Sequence, residues 1–535
     1  MKKIISTLCA GLLLLGISAG VYAAEERNIV VKSSYYVNNE WPDLEELIHK
    51  GSWRGFTGAI AAAMFESEYP NVKIEPVQWK MWGPKAGERT RAALAAGTAP
   101  SFYSIVYSDV GGPQGMINEG MAADITDLVN KWDQKDYIAP VVWQAAWRGD
   151  RCYGIPHRLS SYLFMAYRKD WFREAGIFNS KGTPAPEDDW TWDDFQNIAK
   201  KLTNPKAEHW GVGLATVPGD GFRYVAHSFG APMMIPDKTG KYTWKAGFNL
   251  PPTVRILEMY KNMIWKDKTA VSGTTFSEAS RNPFRASRTG LSIYNLNDAC
   301  GWVGLHRIEP TEKAFEELVG IAPLPRGPEG VRVPIAMEFI FGINPTQTPE
   351  EIEATFNWMT YLFAGPYTTI GMFLLEAFHP NYNVKGCSNN RIPYRLSYGA
   401  VFKDPKTHEP VTHYLDPYGG IPSDYIKTIK LVEGEPVEPV VNKYAMWEPN
   451  IIAFNTALEA AISKVCTDAK ADPKTELDKA ADIANKTALN VKLKGVTAEN
   501  MKNYYTALGE FYQKNFPKYY QEVYKELLEN YYKVW

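Results

Sequence analysis

Polar and aromatic side chains that could contact a sugar-like ligand follow the predicted strands in the first part of the chain. Aromatic rings offer apolar faces to the C–H faces of sugars, and amides and carboxylates hydrogen-bond to hydroxyl groups. In open α/β sheets, ligands bind beyond the carboxyl ends of the strands. That rule selects Asn38 and Trp41, then Trp79, Met81 and Trp82, then Tyr107, Ser108 and Asp109. Each aromatic residue could instead pack locally, but the clusters at three strand ends together favour a ligand site, and their types suit a carbohydrate.

Alternating strands and helices position these residues. The predicted strands are 28–37, 71–77 and 101–107. Between the first two strands, Ile60/Met64 and Ala61/Phe65 form apolar pairs four residues apart, as on one face of a helix. Between the second and third, a helix over 88–96 is ended by Gly97. This alternation predicts a mostly parallel α/β sheet.

Catalytic motifs in a catalytic context are absent from the sequence. Its G-x-S-x-G pattern, Gly16-Ile17-Ser18-Ala19-Gly20, lies in an apolar N-terminal run, and the sequence contains no H-E-x-x-H, Walker or Rossmann glycine pattern and no C-x-x-C pair. We therefore predict no metal and no cofactor. A glycan-active enzyme, either a glycoside hydrolase or a lyase, stays an alternative. Asp109, Asp298 and Glu338 could supply the two carboxyl groups that glycoside hydrolysis needs.

The N-terminus and the charge balance indicate the compartment and limit the partners. Lys2 and Lys3 precede an apolar run over 8–21, and Val21-Tyr22-Ala23 supplies small residues for a signal peptidase. The run is shorter than the ~18 residues expected of a membrane span. We predict a signal peptide over 1–23, cleaved on export to the periplasm. With 58 Lys and Arg against 60 Asp and Glu, no nucleic-acid partner is expected.

Cysteines are few after cleavage. Disulfides are permitted in an exported protein. The sequence leaves open three pairings, or four buried free thiols, for Cys152, Cys300, Cys387 and Cys466.

Residues 152–205 combine an extended aromatic run with two short helices. The first helix, over 169–175, is ended by Gly176. The segment 191–194 (Thr-Trp-Asp-Asp) is typical of a capped helix start, and it precedes an apolar stripe. That stripe consists of Phe195, Ile198, Ala199 and Leu202.

The order of these pieces resembles family 1 extracellular solute-binding proteins, the sugar-type receptors of ABC importers that include maltose-binding-like proteins. The matching pieces are Tyr153-Gly154-Ile155-Pro156, Arg168-Lys169-Asp170, Ala175-Gly176 and Thr191-Trp192-Asp193-Asp194-Phe195. Further similar stretches lie at 65–74, 92–100, 121–128, 321–327 and 472–490.

The resemblance implies the α/β fold of type II periplasmic binding proteins, in which crossover hinge strands join two α/β lobes. Lobe 1 would comprise 24–157 and 337–392. Lobe 2 would comprise 158–336 and 393–535, including a helical C-terminal extension. We expect crossovers at the start of 153–170, at 335–343 and near 389–396. The tyrosine-rich end, 497–535, is expected to pack on its own lobe rather than against a partner helix.

The resemblance also implies a function. Such a receptor binds an oligosaccharide between its lobes by hinge closure, without turnover, and delivers it to ABC permease subunits in the inner membrane. We expect a monomer. A surface glycan-binding protein is an alternative to the receptor. An acidic saccharide is an alternative ligand, suggested by Arg158, Arg223 and Arg307, although each arginine could instead form a salt bridge between lobes.

The predicted ligand-binding set joins strand-end residues to positions that the resemblance places at the cleft. It consists of Asn38, Trp41, Trp82, Tyr107, Asp109, Arg158, Tyr162, Phe222, Arg223, Asn295, Asn297, Asp298, Trp302 and Glu338. Phe222, or Tyr224 beside it, is expected to stack on the ligand. Arg281, Arg285 and Arg288 are expected on a solvated helix face.

Overall fold

The structure is a computed structural model. It describes residues 29–34, 53–79, 85–106, 112–138, 143, 146–148, 150–216, 221–273, 280–295, 315–332, 336–363, 406–407, 423–436, 450–493 and 497–532. At 53–60, 112, 114, 157–162, 294–295, 315–316, 336–339, 363, 433 and 451 it describes the backbone but not the side chains. The predicted signal peptide and the predicted crossover near 389–396 lie outside these residues.

Strands and helices alternate along much of the chain. The strands are β1 (Ile29–Ser33), β2 (Val72–Pro76), β3 (Phe102–Ser104), β4 (Trp147–Arg148), β5 (Arg151–Cys152), β6 (Ile155–Arg168), β7 (Trp210–Ala215), β8 (Met234–Pro236), β9 (Trp244–Ala246), β10 (Ala270–Gly273), β11 (Thr289–Asn295), β12 (Val319–Pro323) and β13 (Ala336–Ile343).

The helices are α1 (Trp53–Glu68), α2 (Ala86–Ala95), α3 (Gly112–Asn118), α4 (Thr126–Lys131), α5 (Lys169–Glu174), α6 (Trp192–Leu202), α7 (Arg223–Ser228), α8 (Pro251–Lys261), α9 (Asn282–Arg285), α10 (Phe315–Leu318), α11 (Pro349–Phe363), α12 (Ser423–Glu433), α13 (Ile451–Thr467), α14 (Pro473–Thr487), α15 (Ala498–Asn515), α16 (Pro517–Tyr519) and α17 (Lys525–Leu527). Wider π turns follow α8, α16 and α17, at Asn262–Lys266, Tyr520–Tyr524 and Leu528–Tyr532.

The chain divides into two compact units. Unit 1 consists of Met1–Arg158, Glu338–Val384 and Val401–Asp416, and unit 2 of Leu159–Met337, Lys385–Ala400 and Pro417–Trp535. Strands β6 and β13 each contain one of these boundaries, so the chain passes between the units within two continuous strands. The sequence predicted crossover strands at both places.

Unit 1 contains the parallel pair β1–β2, in which Ile29 lies opposite Val72. Strand β3 pairs with β13 in the antiparallel direction, with Ser104 opposite Phe341. Helix α11 covers β1, and its Trp358 is fully buried. The Trp358 Nε1–H donates to Ser33 Oγ at 3.1 Å, so the helix is joined to the strand end by a hydrogen bond as well as by packing.

In unit 2 the strand order is β10–β7–β11–β6–β12. The pairs β10–β7 and β11–β7 are parallel, whereas β6 runs antiparallel to both β11 and β12. The sheet of unit 2 is therefore mixed. The reversed strand is β6, the one that enters from the other unit. The parallel prediction concerned residues 28–107, where β1 and β2 do pair in the parallel direction.

Local sequence signals set the ends of several helices. Thr191 Oγ1 accepts from the Asp194 N–H, and the Asp194 carboxylate accepts from the Thr191 N–H at 2.8 Å. This is the predicted capping box of α6, and it satisfies backbone donors that a helix start leaves unpaired. Gly97 and Gly176 end their helices at φ +69° and +65°. That left-handed conformation favours glycine.

The tyrosine-rich C-terminal helices pack within unit 2, as predicted for this segment. Tyr505, Tyr512 and Tyr519 are buried in the core of that unit. The Tyr519 hydroxyl donates to the Gly230 carbonyl at 2.8 Å, and the Tyr524 hydroxyl donates to the Tyr505 carbonyl at the same distance. The tyrosines therefore serve packing and hydrogen bonding between segments inside one unit. Among the described helices, none is long and apolar enough to cross a membrane.

Candidate ligand site

The ends of strands β1 and β3 in unit 1 carry buried serines that bond to neighbouring backbone. Ser34 Oγ donates to the Phe102 carbonyl at 2.6 Å, and Ser104 Oγ accepts from the Val106 N–H at 3.4 Å. Beyond these ends the chain continues into the segments with Asn38, Trp41, Tyr107 and Asp109. These predicted ligand residues lie outside the described residues, as does Trp82 after β2.

Trp79 follows β2 in the described part of unit 1. Its indole is half-buried, and the buried Nε1–H has no hydrogen-bond partner. Leaving a buried donor unpaired costs about 1–3 kcal/mol. A ligand hydroxyl or a water molecule would remove that cost. Trp79 is thus an available donor at a strand end where the sequence predicts ligand contacts.

In unit 2 three neighbouring parallel strands end together. Gly273 of β10 lies opposite Ala215 of β7, and Leu291 of β11 lies opposite Val212. A cavity of about 10 Å³ lies along the carboxyl-terminal half of β7, lined in part by Ala215, Ser280 and Ile293. A volume of roughly 10–15 Å³ holds one water molecule, so this cavity is too small for a sugar ring.

Helix α7 begins beside the end of β7. Gly221 has φ +144°, and a Cβ on it would lie 2.9 Å from the Ala215 Cβ, so the chain approaches the strand end too closely for a side chain. Phe222 is fully buried and lies edge-on to Tyr260, with ring centroids 5.8 Å apart. This placement favours a packing role for Phe222 over the ligand-stacking role that we predicted, because no face of its ring is exposed.

Arg223 follows as the first residue of α7 and is half-buried. Its Nη2 donates to the Asn455 Oδ1 at 2.8 Å, which joins α7 to α13 within unit 2. Tyr224, the alternative stacking aromatic, is partly buried against the hydrophobic core. Of the predicted ligand residues, Arg223 and Phe222 are those whose side chains the structure describes, and only Arg223 has an exposed portion.

Other predicted ligand residues lie in strands whose side chains are not described. Arg158 and Tyr162 are in β6, Asn295 ends β11, and Glu338 is in β13. The backbone register places Asn295 opposite Leu163, next to Tyr162 in the sequence, so these two predicted residues come from neighbouring strands of unit 2. Asn297, Asp298 and Trp302 lie outside the described residues, as does Arg307.

Two arginines that were expected on a solvated helix face are in a different environment. Arg281 and Arg285 are half-buried, and the Nε atom of each is buried, whereas Arg288 is exposed. The prediction was wrong for the first two, because α9 is only one turn long and packs against β11. Within the described ranges, no group of His, Cys, Asp and Glu side chains is arranged to hold a metal ion.

Cys152 and Cys466 are free thiols, each buried in the structure. The other two cysteines lie outside the described residues. Burial raises the pKa of both thiols to about 12. Their folded pKa thus exceeds that of an unfolded cysteine, so their contribution to stability is complete below about pH 8.5 and is lost as the pH rises through the folded value.

We expect Cys152 and Cys466 to resist alkylation in the folded protein. At pH 8 a thiol with a pKa of about 12 is thiolate in only about one molecule in ten thousand, and the thiolate is the nucleophile. Iodoacetamide labelling followed by peptide mass mapping measures each cysteine separately. Both should label only after unfolding in denaturant. Native labelling of either at the rate of a free cysteine peptide would contradict the described burial.

The profile of the bacterial extracellular solute-binding protein family matches residues 50–360, more than half of the chain. No curated protein matches the sequence. The chain belongs to the bacterial extracellular solute-binding protein family.

Solved structures of similar fold include the ABC substrate-binding protein Lmo0181 from Listeria monocytogenes in complex with cycloalternan. That structure has a TM-score of 0.54 and 17% identity, over 81% of this chain and 96% of that chain. Maltose-bound MalE3 of T. maritima has a TM-score of 0.53 and 18% identity, over 81% of this chain and 96% of that chain. The maltotriose-bound MalE domain of Bdellovibrio bacteriovorus has a TM-score of 0.51 and 15% identity, over 81% of this chain and 96% of that chain. The fold is that of type II periplasmic binding proteins, as the sequence predicted.

Proposed function

We propose that this protein is the solute-binding receptor of an ABC importer and that its ligand is an oligosaccharide. The observation that carries the proposal is family membership over residues 50–360. The similar structures contain bound cycloalternan, maltose and maltotriose, which supports a saccharide as the ligand class. The aromatic content of the chain, with 17 Trp, 31 Tyr and 23 Phe, suits sugar recognition.

The ligand contacts are proposed at the strand ends of each unit and within the crossover strands β6 and β13. In unit 1 they comprise Asn38, Trp41, Trp82, Tyr107, Asp109, Arg158 and Glu338, and Trp79 is added because its buried donor has no partner. In unit 2 they comprise Tyr162, Arg223, Asn295, Asn297, Asp298 and Trp302. Closure of the two lobes on the ligand, which the resemblance implies, stays a prediction. Ligand binding would favour the closed state by contacts that the open state lacks.

The proposed setting is the periplasm. The sequence supports export through the signal peptide at 1–23, and the family is described as extracellular. The proposed partners are the permease subunits of an ABC transporter, which the monomeric receptor would engage after loading. Binding without turnover is proposed because the similar structures are those of binding proteins. A glycan-active enzyme would instead release the saccharide shortened or unsaturated.

A panel of neutral and uronate-containing oligosaccharides tests the ligand class. The chain without residues 1–23 is titrated with each sugar while tryptophan fluorescence and Tm are recorded. A ligand present at 100 times its Kd stabilises the folded state by about 2.7 kcal/mol, so a binding sugar should raise Tm by several degrees. Monosaccharides and amino acids serve as controls. A Tm rise with amino acids but with no saccharide would contradict the proposal.

A further inference from the structure

The hydrogen bond between Arg223 and Asn455 connects two elements of unit 2 that are far apart in sequence. Arg223 begins α7, and Asn455 lies in the second turn of α13. The bond runs from Arg223 Nη2 to Asn455 Oδ1 at 2.8 Å, between half-buried side chains. An amide acceptor fixes the guanidinium group but brings no charge, in contrast to the carboxylate acceptors of the ion pairs elsewhere in this unit.

The backbone beneath Arg223 is fixed by its two preceding residues. Gly221 lies against Ala215 at the end of β7, and the Phe222 ring is inserted into the core against Tyr260. The Arg223 Cα is thereby held near the end of β7, but its long side chain retains several rotatable bonds. Such a side chain carries about 2 kcal/mol of rotamer entropy. The amide of Asn455 restricts that freedom.

We propose that Asn455 is a positioning residue for Arg223 in the ligand site, and that their bond selects the guanidinium orientation that contacts the saccharide. The proposal rests on the proposed function. With one N–H group held by Asn455, the guanidinium is pre-organised, so less entropy is lost when a ligand binds. Asn455 thereby affects affinity through Arg223 without touching the ligand.

The acceptor type at 455 also affects which saccharides are accepted. Asn455→Asp would keep an oxygen acceptor for Arg223 and would add a negative charge. A neutral sugar should still find an oriented guanidinium. A uronate would meet a carboxylate next to the arginine, and like charges repel at short range. The aspartate variant therefore separates orientation from charge.

Three variants form the experiment, with Kd measured by fluorescence titration. Asn455→Ala removes the bond. Asn455→Asp keeps it. Asn485→Ala is the matched control, because Asn485 Oδ1 accepts from the Ala246 N–H at 2.8 Å and so joins α14 to β9 in the same unit. Both alanine variants should lower Tm by similar amounts, since each loses one hydrogen bond between elements.

The expected result is a rise in Kd of about 3- to 10-fold for Asn455→Ala, in line with the loss of one hydrogen bond. Asn485→Ala should leave Kd unchanged. Asn455→Asp should keep Kd for a neutral saccharide near the wild-type value and raise it for a uronate. Equal Kd values for wild type, Asn455→Ala and Asn485→Ala would overturn the proposal. A rise in Kd for Asn455→Asp with neutral sugars would also do so.

A second readout does not need a ligand. Phenylglyoxal modifies exposed guanidinium groups, and peptide mass mapping gives the rate at Arg223 alone. In the ligand-free protein that rate should rise several-fold in Asn455→Ala but not in Asn485→Ala. If the wild-type protein binds no saccharide, the proposed function fails, and this rate alone decides whether Asn455 orients Arg223. Equal rates in the two alanine variants would show that it does not.

Discussion

Replacing Glu435 with alanine is expected to lower the free energy of unfolding by about 3–5 kcal/mol. One carboxylate oxygen, Glu435 Oε1, accepts from Arg326 Nη2 at 2.8 Å and from Arg332 Nε and Nη2 at 2.9 and 2.5 Å. The Arg332 and Glu435 side chains are only 5% and 8% exposed. Burial lowers the pKa of Arg332, and the Glu435 carboxylate opposes that shift. Without the carboxylate, two guanidinium groups would face each other with no charge between them.

Chemical denaturation of the variants measures this effect. Glu435→Gln keeps an acceptor oxygen but no charge, so its loss should be intermediate. Lys464→Ala is the control, because it breaks the exposed Lys464–Asp468 pair and should leave stability within experimental error. Equal stability of Glu435→Ala and Lys464→Ala would contradict this account. It would show that the buried bonds from Arg326 and Arg332 to Glu435 do not hold the segment after α12 to the rest of unit 2.

Trp358→Ala is expected to destabilise unit 1 by about 3–5 kcal/mol, the range typical of removing a buried tryptophan. The Trp358 ring lies edge-on to Phe65 at a centroid distance of 5.3 Å and stacks near Tyr361 at 6.4 Å. Its Nε1–H bond to Ser33 ties helix α11 to the end of β1. The cavity would therefore open beneath the strand end that leads to Asn38 and Trp41.

Trp358→Phe is the graded companion variant. It keeps an aromatic ring in the core, loses the hydrogen bond to Ser33, and should cost about 1–2 kcal/mol. Hydrogen exchange of the β1 and β2 amides checks the location of the effect. Exchange of these amides should be slowest in the wild type, faster in Trp358→Phe and fastest in Trp358→Ala. An alanine variant within 1 kcal/mol of wild type would show that the surrounding rings close the cavity.

Signals confined to a few consecutive residues predicted the local structure well. The capping box at Thr191 and Asp194, and the glycines that end α2 and α5, need only near neighbours, so their sequence patterns determine the geometry. The family resemblance was equally sound for the fold, because its pieces occur in the order in which strands and helices alternate. The crossover strands at β6 and β13 followed from that resemblance.

Contacts between distant residues could not be predicted from spacing. Arg332 and Glu435 are 103 residues apart, and the Lys169–Asp424 pair spans 255. No pattern in the sequence links such partners. For the same reason, Arg281 and Arg285 were wrongly expected to be solvated, since their burial depends on what α9 packs against. The bond between Arg223 and Asn455 was also missed.

The candidate ligand site could be predicted only in part from the sequence. An aromatic residue at a strand end can bind a ligand or fill the core, and its type alone does not decide. Phe222 fills the core, whereas the half-buried Trp79 keeps an unpaired indole donor. Burial and hydrogen-bond satisfaction distinguish the two roles, and both depend on tertiary structure. Polar partners such as Asn455 can be identified only from the tertiary structure.

The most direct test of a receptor that binds without turnover is to recover its ligand. The chain without residues 1–23 is incubated with one equivalent of the tightest-binding oligosaccharide, separated from free sugar, and denatured after a long incubation. Mass spectrometry then weighs the released saccharide. The receptor function predicts one intact oligosaccharide per chain, with mass unchanged. Release of shortened or unsaturated fragments would contradict it and would support the glycan-active enzyme instead.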